Sequence, residues 1–516
     1  MRAEAMRTLP DVVRMRAATH PDELAVIVDG GEAVTYAELD KRSNAVARGL
    51  IERGVRKGDR IGLRFDNLNW IDCSVAYFGV QKTGGIAVHL RSEGAVEDVN
   101  YRLDHSQASG VICLPELAPI GFSGWISSLD ELENGHRQEP FKSSVVPDDI
   151  CHILYTSGTT GPPKAIACSH GNASYPCRYY YSHPPDPEFN DIEHPVAIVT
   201  IGLETAGTLI MLHPFLMLPG TLPRRSIIMR EFDPERFCAL IEEHRAHFTD
   251  LIPTMAQQVL LSGAYERYDV SSLRRIFLGS LRTPPALLPR LQAAFPQALL
   301  TIRYGTNEAS LPGIRVTYDP ARPFPSGLLG RPVGIADSQG CVVGREEVRI
   351  SDDNGLEAPP NQEGEIWLRC VGFPRRWYFR DPKRTAQVFL EDGWIRTGDL
   401  GFVNENGNLY LLDRSEDNIR RGTQGFSSLE VEDVLYEHPA VAEAAVFSVP
   451  DDVLGEEVAA AIVLRTPATA EELQRFARER LFAYKVPRKI FFFDHLPRNA
   501  SGKVLKRLLR KQVPRA

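Results

Sequence analysis

The chain has 516 residues, enough at roughly 150 per domain for about three domains or one large multi-lobed enzyme with ample core. Hydrophobic residues make up 43% and charged residues 24%, and the 40 Gly and 37 Pro are scattered rather than clustered, which excludes collagen-like, coiled-coil and largely disordered chains. Lys and Arg number 59 against 67 Asp and Glu, a net charge of −8 that favours solubility and argues against a nucleic-acid backbone as main partner.

Residues 1–23 carry several Arg but neither the apolar stretch nor the small-residue cleavage site of a secretory signal. From Thr35 to Gly54, Leu39, Val46 and Leu50 recur at helical spacing, with Thr35 as the cap and Gly54 as the stop. The following DRIGLRF reads as a buried strand. The same helix-then-strand order returns in RFCALIEEHRAHFTDLIPT, and LRRIFLGS reads as a strand ending in a Gly-Ser turn. Alternation of this kind predicts an α/β fold with helices covering a largely parallel sheet. After the turn-rich strands GEIWLRC and GFVNENGNLYLLD the texture changes near residues 414–417. The last hundred residues read as a small α+β unit: helix LEVEDVLYEH, two strands, helix TAEELQRFARERL and a basic tail GKVLKRLLRKQ. The expected organisation is a large multi-lobed N-terminal domain over 1–414 and a small mobile C-terminal domain over 415–516.

The eight cysteines show neither a CxxC pair nor metal-ligand spacing, so they read as free thiols of a reducing cytoplasm. Apolar runs such as 198–218 are broken by Glu204, His213 and Pro214, so no membrane span is expected. The most informative segment is Tyr155-Thr156-Ser157-Gly158-Thr159-Thr160-Gly161-Pro162-Pro163-Lys164, behind the apolar CHIL. Glycines let a backbone approach a phosphate, hydroxyls and N–H groups donate to its oxygens, and a lysine adds a point charge. The string is not a Walker loop, because its lysine stands three residues after the last glycine and no Ser or Thr follows it.

This segment resembles the phosphate loop of the adenylate-forming superfamily, in its acyl-CoA synthetase branch. Further segments match in the family's order: Tyr304-Gly305-Thr306-Asn307-Glu308 resembles YGxTE, 393–400 (GWIRTGDL) resembles GWxxTGDL, Asp413-Arg414 precedes a hinge, and Ser501-Gly502-Lys503 resembles SGK. The likeness runs from about residue 35 to the end. It implies a two-step reaction in which a carboxylate attacks the α-phosphate of ATP, releasing pyrophosphate, and a thiol then displaces AMP from the acyl-adenylate. By this resemblance Thr156, Ser157, Gly158, Thr159, Thr160 and Lys164 hold phosphates, and Gly279, Tyr304, Gly305, Thr306 and Asp399 hold the nucleoside. Glu308 holds Mg²⁺, Asn307, Arg414 and Lys503 act at the reacting centre, and Glu416 is the hinge. The stretch 419–432 resembles the thiolation loop of acyl-CoA ligases, which makes coenzyme A the thiol acceptor and Arg421, Gly422, Thr423 and Phe426 its binding residues. Arg420 and Arg421 are expected to meet its phosphates. The implied partners are thus ATP, Mg²⁺, coenzyme A and a small carboxylic acid or its adenylate, with a homodimer among the assemblies the sequence leaves open.

Four departures from the family pattern fall near the chemistry: Asn307 for Thr, Ala165 for Gly, no His or Phe in VAIVTIGLETAGT, and Thr423-Gln424 for Gly-Glu. They motivate a second reading, an enzyme with a weakened adenylation step that transfers a preformed acyl-adenylate to coenzyme A. A third reading is a non-catalytic nucleotide-binding homologue, against which Lys503 argues. The resemblance also sets the acyl pocket between residues 196–213, 248–254 and 279–306. Small residues there (Gly202, Ala206, Gly207, Gly279), beside Phe248 and Phe277, suggest a bulky, ring-containing or branched acid.

Overall fold

The computed structural model describes residues 7–92, 95–156, 163–175, 192, 195–200, 203, 225–309, 314–332, 334–336, 342–352, 354–372, 374–415, 417–422, 424–451, 453–498 and 503–513. The helix Tyr36–Glu52 begins as the sequence reads. Thr35 Oγ1 accepts from the Glu38 amide at 3.1 Å, and the Glu38 carboxylate accepts from the Thr35 amide at 3.0 Å, a reciprocal capping box. Leu39, Val46 and Leu50 are fully buried on its inner face. It packs against the helix Trp70–Thr83, almost every residue of which is buried. Two glycines make the packing around it close: a Cβ on Gly79 would lie 2.5 Å from a Val46 methyl, and one on Gly49 would lie 2.2 Å from the Leu132 carbonyl oxygen of the short helix Leu129–Glu133. Alanine at either position would force the helices apart.

Two sheets organise the larger part of the molecule. Among the described residues, one has fourteen strands and the other seven. The strands Leu24–Val28, Arg225–Ile228, Val196–Val199, Phe248–Leu251, Arg275–Leu278 and Leu299–Tyr304 run parallel to their neighbours. Most of their residues are apolar and buried, as expected of parallel strands covered on both faces. From Ile314–Thr317 onward the same sheet continues antiparallel through Leu328–Pro332, Leu409–Arg414, Trp394–Val403, Gly364–Val371 and Val342–Ser351. The expectation of a largely parallel sheet therefore holds for one half only. The connections explain why: strands such as 394–403 and 409–414 are joined by a tight turn with Gly407 at φ +76°, which allows antiparallel pairing, whereas parallel pairing needs a long crossover.

Residues from Ile419 to Val513 bury two apolar clusters of their own around a three-stranded sheet, Val441–Asp451, Gly455–Leu464 and Lys489–Phe492. The helices Ser428–Tyr436, Ala470–Arg478 and Lys506–Gln512 cover it. The helix Ser428–Tyr436 also touches the larger part. Asp433 pairs with Arg282 and accepts from Ser326 Oγ, while Arg282 Nη1 donates to the Leu429 carbonyl at 3.3 Å. Below it, Asp413 Oδ2 accepts from the Ser428 amide at 2.6 Å and from Ser428 Oγ at 2.7 Å. No described helix is long and apolar enough to cross a membrane.

Candidate active site

The hairpin Ile150–Thr156/Lys164–Ser169 sets the flanks of the phosphate-loop segment. Thr156 and Lys164 are register partners at its open end. Ser157, Gly158, Thr159 and Thr160 lie between them, outside the described residues. The stem beneath is tied to the helix Val96–Ser106: Tyr155 Oη donates to the Arg102 carbonyl at 3.2 Å and lies 3.0 Å from His105 Nδ1.

The strand Leu299–Tyr304 carries the next motif to the carboxyl edge of the parallel strands, where α/β sheets bind their ligands. Tyr304 Oη donates to Asp399 Oδ2 at 2.6 Å, and Arg414 Nε pairs with Asp399 Oδ1 at 2.7 Å. Asp399 and Arg414 face each other across neighbouring antiparallel strands, 394–403 and 409–414. Only 4% of Asp399 is exposed. Burial raises its carboxyl above the usual range, opposed by Arg414, by the Tyr304 hydrogen bond and by the charge of Lys503. Glu308 acts on Asp399 in the opposite sense. Tyr304, Glu308, Asp399, Arg414 and Lys503 thus occupy one electrostatic neighbourhood, although they span two hundred residues of chain. Gly305 and Thr306 follow Tyr304 directly, and Thr306 closes the turn by accepting from the Ala309 amide at both its carbonyl and its hydroxyl oxygen. Gly279 lies across from Arg303, 3.4 Å from its carbonyl oxygen to the position a Cβ would take, an ordinary contact that demands no glycine.

Glu308 Oε1 accepts from Tyr378 Oη at 2.7 Å. Burial, then the Glu308 charge and this hydrogen bond, push the Tyr378 phenol well above its ordinary value, so it stays a donor. The carboxylate keeps further lone pairs, and a hard oxygen donor beside a phosphate site suits Mg²⁺.

Arg376 is a member of this site that sequence reasoning missed. It is 5% exposed and spans three acceptors: Asn307 O at 2.8 Å, Ala309 O at 2.9 Å and Asn172 Oδ1 at 2.9 Å. It therefore holds the backbone on both sides of Glu308. Asn172 in turn donates to Pro374 O at 2.6 Å and accepts from the Cys168 thiol at 3.1 Å. Cys168, Cys151 and His152 bring their side-chain donor atoms within 4.8 Å of one another in the core, a juxtaposition created by strand pairing and invisible in the spacing. Burial holds the Cys151 thiol protonated, and it donates to the Cys168 carbonyl at 3.2 Å.

The thiolation-loop residues fare differently. Arg421 forms a bidentate pair with Glu457, Nε–Oε1 2.7 Å and Nη2–Oε2 2.9 Å, and both side chains are nearly buried. The Arg421 guanidinium is thus engaged by a carboxylate of the neighbouring strand Gly455–Leu464. Phe426 is 6% exposed and packs edge-on against Tyr484 in the apolar cluster of the small lobe. Gly422 takes φ +62°, so the left-handed position of the loop falls on a glycine. Arg420 is exposed, while Glu416 and Thr423 lie outside the described residues.

Residues 13–373 match the family model of AMP-binding enzymes, and residues 430–503 match that of the AMP-binding enzyme C-terminal domain. The chain is 32% identical to the feruloyl-CoA synthase of Amycolatopsis sp, over 99% of this chain and 100% of that one. It is 28% identical to a 2-succinylbenzoate–CoA ligase of Bacillus cereus, over 98% and 99%. Among solved structures it superposes on ATP-bound MatB from Rhodopseudomonas palustris with a TM-score of 0.82 at 26% identity, covering 97% and 98% of the two chains. The amide bond synthetase McbA from Marinactinospora thermotolerans gives a TM-score of 0.81 at 28% identity, covering 97% and 99%. With the motif residues gathered around Asp399 and the family model covering most of its length, the chain belongs to the AMP-binding enzymes, the adenylate-forming superfamily, as an acid–thiol ligase of the acyl-CoA synthetase branch.

Proposed function

We propose that the chain converts a bulky, hydrophobic carboxylic acid into its coenzyme A thioester through an acyl-adenylate. A carboxylate oxygen attacks the α-phosphorus of ATP and the bond to the β-phosphate oxygen breaks, releasing pyrophosphate. The thiol sulfur then attacks the acyl carbonyl carbon, giving up its proton to solvent, and AMP leaves. Two anions must meet in the first step, so the site has to supply cations and aimed donors. Asp399 accepts from the ribose hydroxyls, with Arg414 fixing its orientation, and Lys503 brings an ammonium to the carboxylate and α-phosphate. Lys164, with Thr156 opposite, flanks the loop that holds the outer phosphates. Mg²⁺ held by Glu308 would neutralise phosphate charge. Residues 415–516 turn about the segment around Glu416 between the two steps, with coenzyme A meeting the surface near Gly422 and Thr423.

The observation that carries this reading is the convergence of Tyr304, Arg414 and the charges of Lys503 and Glu308 on one buried carboxylate, Asp399. Two relatives named for ring-containing acids, feruloyl and 2-succinylbenzoate, support the bulk assigned to the substrate. The test offers purified protein a panel of carboxylic acids with Mg·ATP, with and without coenzyme A, and separately synthetic acyl-adenylates, following AMP, pyrophosphate and acyl-CoA by mass spectrometry. Pyrophosphate and acyl-CoA from free acid are expected. Acyl-CoA from the preformed adenylate alone would replace this reading with that of a transferase lacking the first step.

A further inference from the structure

On the face of the strand Leu299–Tyr304 opposite Tyr304, the sheet carries a charged pair. The strands Phe248–Leu251, Arg275–Leu278 and Leu299–Tyr304 lie side by side, with Asp250, Phe277 and Thr301 in register. Side chains alternate along a strand, so Arg303, two residues beyond Thr301, shares the face of Asp250 and Phe277 while Tyr304 turns to the other. The Arg303 guanidinium lies 4.1 Å from the centre of the Phe277 ring and pairs with Asp250 across it. Thr200 Oγ1 anchors the far strand by donating to the Asp250 carbonyl at 2.6 Å.

An ion pair is costly to hold among buried parallel strands and adds little net stability there. This one is not sealed: the side chains keep 28% and 16% of their surface exposed, at the carboxyl edge where ligands of such sheets bind and one residue from Tyr304. We propose that Arg303 and Asp250 read the distal end of the acid and select an uncharged group that both donates and accepts a hydrogen bond, such as a hydroxyl or a carboxamide. The inference rests on the ligase reading above. The pair is neutral as a whole, so a distal carboxylate meets Asp250 and a distal ammonium meets Arg303, each at a like charge. A hydroxyl donates to Asp250, whose carboxylate has acceptor capacity beyond its Arg303 contact, and accepts from Arg303. A bare hydrocarbon end displaces water from both ions and returns nothing.

The test is a matched series on one aryl acid skeleton, ending in hydrogen, hydroxyl, carboxamide, carboxylate or aminomethyl. Two readouts are taken: kcat/KM from pyrophosphate release, and Kd for the corresponding acyl-sulfamoyl adenosines by calorimetry, which needs no turnover. The wild type should favour the hydroxyl and carboxamide ends over the bare ring by about 10-fold or more. Asp250→Asn should move the preference toward the carboxylate, and Arg303→Met toward the ammonium. Equal treatment of the series by the wild type, or an unchanged order in both folded variants, overturns the inference. The wild-type series needs no variant to fold. Selective binding of the adenosine mimics without pyrophosphate from any acid would sink the ligase reading and leave this one standing. Turnover without selectivity would do the reverse.

Discussion

Tyr304 donates its phenolic hydrogen to Asp399 across 2.6 Å, joining residues 95 apart in the chain through the most buried carboxylate of the site. The bond fixes one oxygen of Asp399 while Arg414 fixes the other. A hydrogen bond to a charged group contributes about 1.5–3 kcal/mol. Tyr304→Phe should therefore raise the KM for ATP by about 10-fold to 100-fold, with a smaller change in kcat. Steady-state kinetics in ATP check it, and an unchanged KM would mean that Arg414 alone orients the carboxylate.

Arg376 holds the backbone on both sides of Glu308, and lysine cannot reach its three acceptors at once. Arg376→Lys should slow pyrophosphate formation by about 100-fold through a misplaced loop, and Arg376→Met should do at least as much. Both variants should need more Mg²⁺ for half-maximal rate. A loss of thermal stability with normal turnover at permissive temperature would restrict Arg376 to a structural role.

Much of this arrangement is legible in the sequence wherever the signal is local. The cap at Thr35, the Gly-Ser turn after the strand ending at Leu278, and the ordered motifs ending in Lys503 can all be read from the residues alone. What cannot be read is what pairing across strands creates. Arg376 carries no motif, and its acceptors lie about seventy and two hundred residues away. The Arg303–Asp250 pair and the Cys151–His152–Cys168 cluster depend on sheet register, and the antiparallel half of the large sheet depends on turns that periodicity does not rank. Arg421 was legible as a cation but not as one already paired, because Glu457 approaches it from another strand.

Lys82 gives a pH prediction outside the site. Its ammonium is buried between the helices Tyr36–Glu52 and Trp70–Thr83, bonding Asp40 Oδ1 at 2.8 Å, Ser43 Oγ at 2.8 Å and Asn44 Oδ1 at 2.7 Å. Desolvation lowers its pKa to about 8 despite the Asp40 charge. Between that value and its unfolded value near 10.5 the unfolded chain holds the proton more tightly, so this group's contribution to stability rises with pH through the window. Lys82→Met should flatten the profile of unfolding midpoint there, because the titrating group is gone. A variant with the wild-type slope between pH 8 and 10.5 would contradict the assignment.

Arg282 and Asp433 tie the small lobe to the large one in the orientation that brings Lys503 near Asp399. Removing the contact with Asp433→Asn should slow adenylation by about 10-fold, through loss of one partly buried ion pair. Transfer from a supplied acyl-adenylate should change little if, as proposed, the small lobe turns to another orientation for that step. Single-turnover measurements of the two half-reactions check it, and equal slowing of both would mean that the contact is structural only.

Lys503 tests the central claim most directly. Lys503→Ala is assayed for pyrophosphate release from free acid and Mg·ATP, and separately for acyl-CoA formation from a synthetic acyl-adenylate, with the wild type beside it. The account predicts that the first rate falls by about 100-fold or more while the second stays within a few-fold of the wild type. Equal loss of both, or no loss of either, would contradict a lysine that serves adenylation alone.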